Sequence, residues 1–221
     1  MKVHLTRQHI LAALPKVAEG LGKYLCIQAV AHGGSDLARD PIFQKKYNGF
    51  YKVRRSENWR RIYFKLLEHE RQQTKLARRN FQDVLEEIEN QTKRVEASFA
   101  SKLVATVDPQ QPIIDSVVLA NVGARLPYSK MLNRVQVIGT MHKQLAACYG
   151  TYLKSSDGKF LVKSFKTLYP KANISEIKML DLVIWQTRKA KPATSPKVRL
   201  SKKGSSKNTS KKGALKNHND T

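Results

Sequence analysis

Residues 95–123 read VEASFASKLVATVDPQQPIIDSVVLANVG. Phe99, Leu103 and Val104 recur at helical spacing. Asp108-Pro109-Gln110-Gln111-Pro112 must end that helix, because each proline lacks an amide hydrogen and drives the residue before it into extended backbone. Asp115 then stands where an N-cap belongs, ahead of Val118, Leu119 and Val122, and Gly123 supplies the stop. The stretch predicts a helix, a Pro-bounded loop and a second helix headed by aspartate.

The same period extends in both directions. Ile10, Leu11 and Leu14 precede Pro15, which fits the first turn of a second helix carrying Val17, Leu21, Leu25 and Ala29. Asp40-Pro41 caps a short segment to Tyr47, and Gly49 is expected to break the chain. Ser56 caps a helix with Trp59, Ile62, Tyr63, Leu66 and Leu67 on one face, and Phe81, Val84, Leu85 and Ile88 mark another. A long helix is expected from about Lys130 to Leu153, then a turn at Ser155–Gly158 and a helix holding Phe160, Leu161, Phe165 and Leu168. Ser175 caps the last helix, through Ile177, Leu180, Ile184 and Trp185. No stretch alternates as a strand does. The expectation is a single all-α domain of nine or ten helices over residues 1–188.

The chain has 221 residues, with 41 Lys plus Arg against 17 Asp plus Glu and a net charge of +24. From Thr187 onward eleven basic residues face one acid, among Ser, Gly, Asn and Pro. That composition cannot bury enough surface to offset the entropy of ordering, so residues 189–221 are expected to form a disordered basic tail. No apolar run is long enough to cross a membrane, and Pro15, Lys16, Glu19 and Lys23 interrupt the N-terminal run that a secretory signal would need. Cys26 and Cys148 stand far apart with no CxxC. The chain is expected inside the cell, in the cytoplasm, nucleoid or nucleus. Phosphate-cradling glycine loops, HExxH and GxSxG are absent, so no metal and no cofactor is expected.

Charge of this sign and size points to nucleic acid, with DNA favoured over RNA. Residues 39–79 hold thirteen basic residues and four acids. Adjacent pairs there repel one another without acids close by in sequence, and a phosphate backbone relieves that repulsion. Lys45, Lys46, Lys52, Arg54, Arg55, Arg60 and Arg61 are the candidate nucleic-acid-binding residues. Phe50, Tyr51 and Trp59 interleave with them as a stacking platform or as core, and the spacing of Trp59 with Tyr63 and Leu66 favours core for Trp59, as for Trp185.

Lys102 and Asp115 are the candidate catalytic pair. The helix–loop–helix brings one amine and one carboxylate to the same corner of the fold. An amine held near apolar walls and other cations loses pKa and becomes nucleophilic, and a carboxylate beside it stabilises positive charge at a glycosidic carbon. Two plain roles stand beside these: Asp115 as a helix cap, Lys102 as a phosphate contact or surface residue.

The Asp-headed helix ending in V-x-x-x-x-G resembles the helix-hairpin-helix DNA glycosylase superfamily. There an aspartate heads a helix after a hairpin that carries, in the lyase-type members, a catalytic lysine. The segment SFASKLVATVDPQQPIIDSVV is also similar to a small glycosylase-like family related in pattern to 8-oxoguanine glycosylases. With it go a basic block (Phe50, Tyr51, Val53, Arg54, Arg55, Trp59, Arg60) and an Asp-x-x-x-Trp-Gln near the end (Asp181, Trp185, Gln186). The resemblance spans about residues 40–188 and implies Asp115 as the catalytic aspartate and Lys102 as the lysine. The Lys-to-Asp interval is 13, shorter than the superfamily's, and Val95-Glu96-Ala97-Ser98 replaces its glycine-rich hairpin. Three functions stay open: a base-excision enzyme, a non-catalytic nucleic-acid-binding protein, and a basic protein docking acidic partners or anionic membranes through its tail.

Overall fold

The computed structural model describes residues 1–187 and is helical throughout, with ten α-helices, one 3₁₀ turn and no strand among those residues. The all-α expectation is met. The basic tail expected over residues 189–221 lies outside the described residues.

Thr6 opens α1 (Arg7–Ala13) with a capping box shared with His9. Pro15 lacks the amide hydrogen a continuous helix needs, so the chain tightens into a 3₁₀ turn, Leu14–Val17, before α2 (Ala18–Ala31). Asp40 caps α3 (Pro41–Tyr51), accepting the amides of Ile42 and Phe43 at 2.9 Å each. Gly49 does not break this helix, contrary to the sequence expectation. A glycine inside a helix costs about 1 kcal/mol, less than the final turn recovers by burying Tyr51 and half-burying Phe50. The helix ends instead where Lys52 turns left-handed, at φ 56°.

Ser56 caps α4 (Glu57–Gln72) and Asn80 caps α5 (Phe81–Thr92). There follow α6 (Ala97–Val107), α7 (Ser116–Asn121), α8 (Arg134–Lys154), α9 (Ser156–Leu168) and α10 (Glu176–Trp185). Residues 130–133 are not helical, although α8 was expected to start near Lys130. Leu132, whose side chain suggested the earlier start, is fully exposed, so another turn would bury nothing. Gly123, at φ 67°, stops α7 as expected.

α10 is the central post. Leu180, Leu182, Val183 and Ile184 are buried, and the helix packs on α1, α7, α8 and α9. α5 lies on α6 and α8, and α2 on α3. Under α3 and α4 is an aromatic core: the Tyr47 and Tyr63 hydroxyls meet at 2.8 Å, Tyr63 donates to the Phe99 carbonyl at 3.0 Å, and Trp59 stacks on Tyr63. No described helix is long and apolar enough to cross a membrane.

Candidate active site

Lys102 sits midway along α6, 7% exposed, which excludes the surface role. Its ammonium donates to the Tyr51 carbonyl at 3.1 Å and lies 5.2 Å from the centre of the Phe99 ring. Asp115 caps α7, accepting the Val117 amide at 2.7 Å. The cap role of Asp115 therefore holds, and it does not take the residue out of the site. Both residues line one open cleft of about 810 Å³.

Neighbouring residues lock the loop between them. The hydroxyl of fully buried Ser101, beside Lys102, accepts the amide of Ile114, beside Asp115, at 2.9 Å. His142 approaches the Pro112 carbonyl at 3.0 Å through Nε2, and Ser175 donates to the Pro109 carbonyl at 2.5 Å. The loop is held from α6, α8 and the start of α10, so lysine and carboxylate are set by three helices rather than by one flexible turn.

Phe50, Tyr51, Trp185 and Gln186 wall the cleft, and exposed Lys52 and Arg54 stand on its rim. Trp185 is half-buried: it packs against the core, as expected, and also lines the cleft. Thus the C-terminal Trp-Gln, the Phe-Tyr of the basic block, Lys102 and Asp115 converge, although they are spread over 137 positions, Phe50 to Gln186, of the chain.

The other candidate cations divide. Lys45, Lys46 and Arg61 are exposed but lie outside the cleft lining. Arg55 forms a bidentate pair with Glu96, at 2.9 and 3.0 Å, and Arg60 donates to the Arg55 carbonyl at 2.7 Å. Arg71 pairs with Glu68, and Arg79 with Glu70 and Glu87. The basic stretch is therefore not as unbalanced as its own sequence suggests, because the fold supplies acids from up to 41 positions away.

Sequence reasoning missed Lys178. It is buried with Asp181 on α10, three positions apart, beneath the cleft wall. Tyr149 donates to Asp181 Oδ1 at 2.9 Å. Burial drives Lys178 below the usual lysine range, and Asp181 partly restores it. Burial likewise raises the Asp181 carboxyl, against the Lys178 charge, the Tyr149 hydroxyl and the Ile113 backbone. The signal was present: two ionisable residues one turn apart in the otherwise apolar run Ile177–Trp185.

Comparison with known protein families, curated proteins and solved structures gives no match to this chain. Among the described residues no group of three or more His, Cys, Asp or Glu could hold a metal ion.

Proposed function

We propose that this chain binds DNA and excises a damaged or modified base, as the helix-hairpin-helix glycosylases it resembles do. The observation that carries the reading is the shared cleft: Lys102 and Asp115 line it together with aromatic walls and a cationic rim. A base turned out of the duplex enters this space and stacks on the Phe50 and Trp185 rings, while the Gln186 amide meets its edge. Lys52 and Arg54 meet the flanking phosphates. As the glycosidic bond lengthens, its electron pair leaves with the base, and the Asp115 carboxylate stabilises the positive charge left on the sugar. The Lys102 nitrogen adds to the same carbon through its lone pair, and the departing base takes up the proton that the nitrogen gives off.

Charge supports the same partner. Residues 116–156 hold five Lys or Arg and no acid. Docking differs from the superfamily pattern: the N-terminus of α6 presents Glu96, clamped by Arg55 and Arg94, where glycine amides would meet phosphate. Rim cations take over that task.

One observation favours a second reading, a nucleic-acid-binding protein without catalysis. Asp115 and Lys102 both make bonds that serve the fold, to the Val117 amide and the Tyr51 carbonyl.

The deciding experiment offers duplexes bearing 8-oxoguanine, uracil, an abasic site or an alkylated adenine, with strand cleavage scored after hot alkali. Excision that disappears in Asp115→Asn establishes the glycosylase, and a borohydride-trapped adduct lost in Lys102→Ala adds the lyase step. Salt-sensitive binding without cleavage of any duplex favours the second reading.

A further inference from the structure

A second cavity, of about 280 Å³, lies between α5, α6 and α8. Phe99 and Lys102 of α6 line the cleft, whereas Leu103, Val104 and Val107 line this cavity, so the helix presents a different face to each. Base excision as described above makes no use of it.

One wall is apolar, where Phe81 and Val84 from α5 meet the three α6 side chains. Arg78, from the segment between α4 and α5, also lines the space. It is half-buried, and its Nη1 donates to the Val107 carbonyl at 3.3 Å. Its Nε is buried with no hydrogen-bond partner among the described residues. The next residue differs: Arg79 holds Glu70 at 2.7 Å and Glu87 at 3.2 Å. A buried guanidinium N–H without an acceptor has lost water and gained nothing in return, so it marks a place where an acceptor belongs.

The charge of the lining agrees. Lys75, Arg78, Arg79 and Lys143 face only two acids, Glu70 and Asp108. Glu70 is engaged by Arg79, and Asp108 accepts the Gln110 amide at 3.1 Å and the Gln111 side chain at 2.9 Å. We propose that this cavity binds a small organic carboxylate, with its charged end on Arg78 and its apolar body against Phe81 and the α6 valines. With Nη1 turned to Val107, the Nε–Nη2 edge remains, and that edge matches the two oxygens of one carboxylate. The volume is at the small end for ligand sites, so the body is about one or two rings in size.

The test is isothermal titration calorimetry of the full-length protein near neutral pH with indole-3-carboxylate, indole-3-carboxamide and inorganic phosphate. The carboxylate is expected to bind with a Kd below about 1 mM, and the other two at least about tenfold more weakly. Arg78→Met should weaken the carboxylate about tenfold or more. Val104→Phe fills the cavity without changing charge and should abolish binding. Lys159→Met removes an equal charge from exposed surface elsewhere and should leave the affinity unchanged. A wild-type protein that takes up no carboxylate, or holds the carboxamide or phosphate as tightly, overturns the proposal without any variant, so the test survives an Arg78→Met protein that fails to fold. Unchanged binding in a folded Arg78→Met or Val104→Phe protein overturns it equally. So does a loss in Lys159→Met as large as in Arg78→Met, which would mean diffuse attraction to the basic surface.

Discussion

Replacing His142 by glutamine removes a proton-binding site that folding suppresses. The ring is 3% exposed and stacked on Phe81 with centroids 4.1 Å apart, and its Nε2 lies 3.0 Å from the Pro112 carbonyl. That distance requires Nε2 to carry a hydrogen and donate. Burial pushes the pKa from 6.5 down to about 4, against a smaller opposing effect of the Pro112 bond. Below pH 6.5 the unfolded chain takes up a proton that the folded chain refuses until about pH 4. Stability is therefore lost as pH falls through that window and is unaffected above it. The whole window corresponds to about 3 kcal/mol, of which about 2 kcal/mol falls between pH 7 and pH 5. The glutamine amide can donate to Pro112 and does not titrate. Urea unfolding of both proteins at the two pH values, followed by tryptophan fluorescence, should show the wild type losing about 2 kcal/mol more than His142→Gln. Equal losses would refute the argument, and with it the claim that α8 holds the Lys102–Asp115 loop through a neutral imidazole.

Other perturbations have equally definite outcomes. Truncating Glu96 to alanine strips Arg55 and Arg94 of their shared carboxylate and should cost about 2 kcal/mol, a melting shift of roughly 4–8 °C by calorimetry. Gly158→Ala drives a methyl group into the Tyr152 carbonyl and to within 2.6 Å of Leu153 Cα, so the α8–α9 junction must shift. A loss above about 2 kcal/mol is expected in chemical unfolding. Converting Lys52 and Arg54 together to alanine should lower the slope of log affinity against log salt by about two, measured by fluorescence anisotropy on duplex DNA.

What the sequence could reveal followed the range of the interactions. Asp40, Ser56, Asp115 and Ser175 bond amides two or three positions away, so each cap was legible from a short window. The continuation of α3 past Gly49 was not, since it depends on what Phe50 and Tyr51 pack against: Tyr24 from α2 and Trp185 from α10. The same distinction governs the site. Lys102 and Asp115 are close in sequence and could be paired on paper. Arg55 looked free because Glu96 lies 41 positions away, and the cleft-lining side of Trp185 went unseen because nothing in its own helix announces a cleft. Lys178 escaped notice because a lysine in a helix is ordinarily solvated, and only the four rings gathered from three helices reveal where its amine ends.

The left-handed turn at Lys52 sets durability against chemistry at a single position. A residue with a β-carbon held at φ 56° carries about 1 kcal/mol of strain that glycine would not. Selection for heat resistance alone would thus install glycine there and erase one of the four exposed cations lining the cleft, Lys16, Lys23, Lys52 and Arg54. A hardened version of this protein would emerge easily, and its cleft would be one positive charge poorer.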